Sequence, residues 1–294
     1  MDWISPLDFL SVYGFRTTFF TSALVGLLAG SFGSLLYMRR QSLLSDVMGH
    51  ASLAGVVGGF AVAAGIFGAN GQSIAVLIAG AAISSYLAVF LVQWITERTV
   101  IGADAAMAIS LSLFYGGGLS ALHVLNHSSI PGKAGLSDYI FGNAATTRAS
   151  DGHTIAAIAL VLGLVLCAGW KEIKVAIFDP QSAELYGFKL KVINPVLTTC
   201  ITVAIVSGVK AVGLILMVAF AIIPGAAMHQ WARSLGQLVI GSGIIGLLAG
   251  AVGAYVSINL GRVPTGPVVV VVLFAVFVVA LCTSRRPRHT GARR

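Results

Sequence analysis

The stretch Ser42-Leu-Leu-Ser-Asp46-Val-Met-Gly-His50-Ala-Ser holds the two residues best placed to do chemistry in this chain. Asp46 is the one acid well inside an apolar block. The other nine, Asp2, Asp8, Glu97, Asp104, Asp138, Asp151, Glu172, Asp179 and Glu184, fall in the N-terminal segment, in connections or at the ends of apolar blocks. An ionisable group at membrane depth is costly and marks a functional site by default. His50 follows four residues on, so on a helix the two side chains share a face. An imidazole nitrogen beside a carboxylate oxygen suits divalent first-row ions such as Mn, Fe and Zn. Two ligands from one turn do not fill a coordination shell, so other helices must supply more. The same spacing also suits a structural hydrogen bond in which a buried Asp–His pair satisfies itself.

A second i,i+4 pair, His123 and His127, sits beside Asn126 at the end of an apolar block. It is either a place where metal collects at the outer mouth or a pair of solvated residues at a helix end. His153 reads as a helix-start residue, His289 lies in the C-terminal tail, and His229 is not read as a ligand. Cys167, Cys200 and Cys282 each fall in an apolar block without metal-type spacing.

The elements that must position Asp46 and His50 are helices in a membrane. Of 294 residues, 57% are hydrophobic and 10% are charged, against about 25% charged in an average soluble domain. Apolar runs such as Ser73–Trp94 and Val268–Cys282 do not alternate polar with apolar residues, which excludes a transmembrane barrel. Nine candidate spans fall near 15–38, 43–67, 73–95, 105–125, 154–170, 193–209, 211–224, 237–258 and 268–284. Eight or ten is possible where Gly and Pro interrupt them. If Arg39 and Arg40 mark the inner surface, ten helical residues rise about 15 Å to His50. That is near the midplane of an apolar core about 30 Å thick. Glycine is abundant (35 residues) and clusters inside the blocks, as at Gly26/Gly30/Gly33, Gly55/Gly58/Gly59, Gly116–Gly118 and Gly246/Gly250/Gly253. Close helix packing and hinge flexibility both account for that pattern.

The net charge of +8 does not point to nucleic acid, because five of the 18 basic residues lie between Arg285 and Arg294. A basic flank beside the last span is the usual cytoplasmic end of a membrane protein. Counting back through nine spans from that tail puts 13 Lys and Arg on the cytoplasmic side and at most five outside. The N-terminus is then outside and the C-terminus inside, with residues 1–284 as a transmembrane domain and 285–294 as a basic cytoplasmic tail. The N-terminal MDWISPLDFLSVYG carries two acids and no early Lys or Arg, unlike a cleavable signal peptide.

No phosphate loop of the form G-x-x-x-x-G-K-[ST] occurs. The one G-x-G-x-x-G, Gly241 to Gly246, lies in a span without a βαβ context and reads as helix packing. Any ATP drive must therefore come from a partner. The segment Phe178-Asp179-Pro180-Gln-Ser-Ala183-Glu184-Leu185-Tyr186-Gly187 reads as a short helix. Asp179 is its N-cap, Pro180 its first position and Gly187 its stop. On the cytoplasmic side such a helix either docks into a partner's groove or lies plainly in the interface.

Taken together, three stretches resemble the permeases of the zinc/manganese/iron ABC importers. They are Gly33 to Gly59 with its Arg-Arg-x-Ser-Leu-Leu-x-Asp-x-x-x-His-Ala core, Phe178-Asp-Pro-x-x-Ala-x-x-x-Gly187, and Val212-Gly-Leu-Ile-Leu-Met to Pro224 followed by Pro264-Thr-Gly-Pro267. Gly135-Leu136 to Phe141-Gly-Asn143 also fits, and together with Pro264–Pro267 it favours the manganese/iron branch. The resemblance implies an all-α type II ABC importer permease fold of about eight or nine spans in the bacterial inner membrane. It implies partners: a second permease copy or homologous permease, a cytoplasmic ATPase and an extracytoplasmic metal-binding protein. Asp46 and His50 would line the path, and Asp179, Pro180, Ala183, Glu184 and Gly187 would couple to the ATPase. The chain itself would bind no cofactor and do no catalysis. Its cargo would be a divalent metal, Mn2+ ahead of Fe2+ or Zn2+. The alternative is an ion-coupled secondary metal transporter, which would need more ionisable groups inside the spans than one Asp and one His.

Overall fold

The computed structural model describes residues 11–65, 74–128, 149–179, 183, 185–260 and 263–284. Within them lie ten helices and no strand. They are α1 (Tyr13–Met38), α2 (Leu43–Gly65), α3 (Ile74–Arg98), α4 (Ala103–His127), α5 (Ala149–Ala168), α6 (Trp170–Phe178), α7 (Leu190–Val212), α8 (Leu214–Met228), α9 (Leu235–Asn259) and α10 (Thr265–Cys282). Eight are long and apolar enough to cross a membrane. α8, with 15 residues, extends only about 22 Å. The apolar blocks of the sequence thus become helices nearly one for one. The chain is a multi-pass helical membrane protein. The Gly135–Asn143 stretch and the basic tail at 285–294 lie outside the described residues.

Local chemistry sets the breaks. Gly213, with φ 93° and ψ 157°, separates α7 from α8 in a conformation that only glycine adopts readily. Arg40 takes φ 56° and turns the chain between α1 and α2. Gly169 ends α5 and caps α6. The sequence reading missed α6. It is short, amphipathic and charged, carrying Lys171, Glu172 and Lys174 while burying Ile173 and Ala176. It precedes the expected short helix rather than coinciding with it. After α6, Asp179 accepts the Ala183 N–H at 3.0 Å and Ala183 accepts the Phe188 N–H at 3.0 Å. With Gly187 at φ 82°, the second bond has the form of a Schellman stop. Pro180 and Glu184 lie outside the described residues.

Lipid offers no hydrophobic drive for helices to associate, so contact depends on small residues that let backbones approach. α1 and α9 meet along such a seam. A Cβ on Gly26 would sit within 3.0 Å of the Gly246 carbonyl, one on Gly30 within 3.0 Å of Ser242, and one on Gly250 within 3.0 Å of Ser22. The pairing runs down one helix as it runs up the other, so the two are antiparallel. Gly55 and Gly80 close α2 on α3 in the same way. The Gly241–Gly246 run is packing too: Gly241 faces Met228, and Gly243 faces Ser31 and Leu27. Gly58, Gly116 and Gly117 face open space, so not every apolar-block glycine is a packing residue.

The contacts fix which helix ends lie together. α4 runs parallel to α2, since His50 meets Tyr115 and Ala54 meets Gly118. α8 runs parallel to α1, with Gly33 on Ala221 and Tyr37 against His229 at 5.3 Å. The Trp231 indole donates to Thr283 at 3.2 Å, which brings the end of α10 to the end of α1. Arg39 donates to Asn194 at the start of α7, and Glu97 and Lys191 line one groove. One face of the bundle therefore gathers Arg39, Arg98, Lys191 and Arg233, while Tyr13 starts at the other. Gly246→Val forces α1 and α9 apart and costs at least the ~1–3 kcal/mol typical of overpacking, read as a lower Tm and less folded protein in detergent. Gly163→Ala, which meets nothing within 4 Å, leaves both unchanged.

Candidate functional site

Asp46 lies in the first turn of α2, where the helix dipole favours a carboxylate. Four residues on, the His50 Nε2 stands 3.2 Å from Asp46 Oδ1. The carboxylate side chain is 35% exposed and the imidazole 16%. α2 begins only at Leu43, because Arg39 to Ser42 form a turn. The rise from helix start to His50 is therefore about 10 Å, not the 15 Å that ten helical residues would give. The start of α2 is itself recessed, however. His50 packs against Tyr115, the thirteenth of the 25 residues of α4. The pair thus sits level with the middle of a neighbouring span.

Three helices hold α2 at this level. From α3, Ser84 donates to the Ala51 carbonyl at 2.8 Å and Ser85 to the Met48 carbonyl at 2.7 Å. From α7, the Thr202 hydroxyl reaches the Met48 sulfur at 3.7 Å. From α4, the Tyr115 ring meets the His50 ring edge-on, with centroids 4.7 Å apart and planes at 72°. Ser84, Ser85, Met48 and Thr202 are buried. Side-chain bonds of this kind substitute for the hydrophobic drive that lipid withholds. The second nitrogen of His50, Nδ1, is buried and has no hydrogen-bond partner.

His123 and His127 are not part of this cluster. They lie on the last turns of α4, both exposed. Their rings are 4.5 Å apart, and the His127 Nδ1 stands 2.9 Å from the His123 carbonyl. His123 is two turns beyond Tyr115, about 12 Å along the helix. Among the described residues no group of three His, Cys, Asp or Glu comes close enough to hold a metal ion. Among those residues, Asp46 and His50 are the one His–carboxylate pair brought together at mid-span. The sequence reading missed the burial at two acids. Asp151 is 3% exposed in the first turn of α5, and Glu172, half-buried, has one buried carboxylate oxygen and borders an apolar cavity of about 200 Å³ beside Gly169 and Cys200. Both stand at the edge of an apolar block, where sequence gives no sign of burial.

The end of the bundle that gathers Arg39 also carries the segment after α6. Ala183 is fully buried, while Leu185 and Tyr186 are 88% and 78% exposed. Phe178, Met38 and His229 line a cavity of about 220 Å³ nearby. Burial pushes the Arg39 guanidinium below its ordinary pKa.

Comparison with known proteins fits this architecture. Residues 12–284 match the family described as the ABC 3 transport family. The zinc transport system membrane protein TroC of Treponema pallidum is 35% identical over 92% of this chain and 89% of its own length. The manganese transport system membrane protein MntC of Bacillus subtilis is 32% identical over 90% of this chain, which spans 59% of that longer protein. The solved structure of PsaBC from Streptococcus pneumoniae in complex with Fab shares the fold, with a TM-score of 0.83 at 24% identity over 96% of each chain. A match that runs nearly end to end, joined by relatives above 30% identity over nine-tenths of the sequence, leaves one assignment: the chain belongs to the ABC 3 transport family.

Proposed function

We propose that the chain is the permease subunit of an ATP-driven importer and passes a divalent transition-metal ion through the membrane at Asp46 and His50. The observation that carries this is the Asp46–His50 pair, 3.2 Å apart on one face of a membrane-spanning helix. A carboxylate that is 35% exposed on the surface of such a helix needs a polar surround, either water in a path or a partner. A second permease copy set against α2 and α4 supplies both. It excludes lipid and brings a second Asp–His pair to complete the shell. Relatives whose names specify zinc and manganese fit a nitrogen-plus-oxygen site, and Mn2+ is the favoured cargo, ahead of Fe2+ and Zn2+. His123 and His127, at the far end of α4 from Arg98, serve as an outer collecting pair where an extracytoplasmic metal-binding protein delivers the ion.

The basic end faces the cytoplasm by the positive-inside rule. There the exposed Leu185 and Tyr186 and the turn from Asp179 to Gly187 form the contact for an ATPase subunit. Pro180 and Glu184 belong to the same segment of sequence. Closure of the ATPase pair tilts the helices through this contact and changes the side to which the metal site opens. The ion itself undergoes no covalent chemistry.

Metal accumulation in cells carrying Asp46→Ala or His50→Ala tests the site. Uptake falls about tenfold or more, the scale of losing a metal-site interaction, at unchanged protein level. Normal uptake in both variants removes the assignment. Replacing Leu185 and Tyr186 together by Ser tests the contact separately. The permease then purifies without a stoichiometric ATPase while still binding metal.

A further inference from the structure

A histidine that binds a metal is ordinarily held in plane by a hydrogen bond from its other ring nitrogen to a carboxylate, carbonyl or water. None of the described residues supplies that device to His50. Its Nδ1 is buried without a hydrogen-bond partner, and its Nε2 faces Asp46. Asp46 cannot serve as the orienting group once an ion sits between them, because the ion replaces that contact. The ring packed against the imidazole is that of Tyr115, at 4.7 Å and 72°, within the edge-to-face arrangement in which aromatic rings attract.

The position of Tyr115 is itself set by packing. One turn on, Gly118 rests on Ala54, where an added Cβ would come 2.8 Å from the Ala54 nitrogen. Ala54 is one turn beyond His50, so the Gly118–Ala54 contact fixes the spacing at which Tyr115 meets the imidazole. Gly116 and Gly117, between them, touch nothing within 4 Å of where a Cβ would lie. Helix α4 therefore reaches α2 here through Tyr115 and Gly118.

We infer that Tyr115 is a positioning residue for the metal path: its aromatic ring, rather than a hydrogen bond, sets the plane of the His50 ligand. This rests on the reading of Asp46 and His50 as the metal site. The working part of the side chain is the ring, so the phenol oxygen is dispensable and an aliphatic group of similar bulk is not a substitute.

Mn2+ binding to the purified, reconstituted transporter, followed by electron paramagnetic resonance of the free ion, separates the cases. The quantity compared is the component of binding that Asp46→Ala removes. Tyr115→Phe keeps its Kd within about twofold, since the ring contact survives. Tyr115→Leu weakens it about tenfold, the scale of losing an orienting partner. Tyr115→Met is the aliphatic variant to use if the Leu protein does not accumulate. An unchanged Kd in the aliphatic variant overturns the inference, and so does an equal loss in Phe and Leu. If Asp46→Ala removes no binding, the metal-site reading fails. If Asp46→Ala removes it and Tyr115→Leu does not weaken it, only the role of Tyr115 fails.

Discussion

A carboxylate at mid-bundle is a costly group to keep in a membrane, and the surrounding structure can be understood as what makes Asp46 tolerable. The carboxylate sits in the first turn of α2, at the favourable end of the helix dipole. It faces an imidazole at 3.2 Å. Its helix starts deep enough that His50 lies level with the middle of α4. Among the described residues no third His, Cys, Asp or Glu joins the pair, and the Asp46 side chain stays 35% exposed. In the proposed function, a cation between the two side chains and a second permease copy against them supply what is missing.

Holding α2 there requires close backbones on all sides. Ser84 and Ser85 bind its carbonyls, Gly55 and Gly80 remove the side chains that would keep α3 away, and Gly118 does the same for α4. The larger α1–α9 seam, built from Gly26, Gly30, Gly246 and Gly250, joins a different pair of helices. The contrast with α4 is informative. Gly116 and Gly117 lie in open space, on a helix whose outward side also carries Ser112, Ser120 and His123 exposed. Ile109, Leu113, Leu119 and Val124 are exposed beside them, so α4 mixes small, polar and apolar groups where α9 exposes Ile240, Ile244, Leu248 and Val252, which suit lipid.

The spans were legible because a membrane helix is written as a long apolar block, and nine such blocks became nine helices with ends shifted by a few residues. Asp46 and His50 were legible because their i,i+4 spacing is local. Helix α6 was not, since nine residues with three charges carry no membrane signal and its form depends on burying Ile173 and Ala176 against neighbouring helices. Nor was Tyr115, whose partner is 65 residues away in sequence and which reads as one more aromatic in an apolar block. The burial of Asp151 and of one Glu172 oxygen was hidden for the same reason: hydropathy places both residues at the edges of apolar blocks, and only packing encloses them.

Transport through this site requires the ion to occupy the space between Asp46 and His50. Crystals of the assembled transporter soaked in Mn2+ and measured at the manganese absorption edge locate it directly. The account predicts an anomalous peak within bonding distance of His50 Nε2 and Asp46 Oδ1. Density inside the membrane that lies elsewhere, with this pair still hydrogen-bonded to itself, would contradict it.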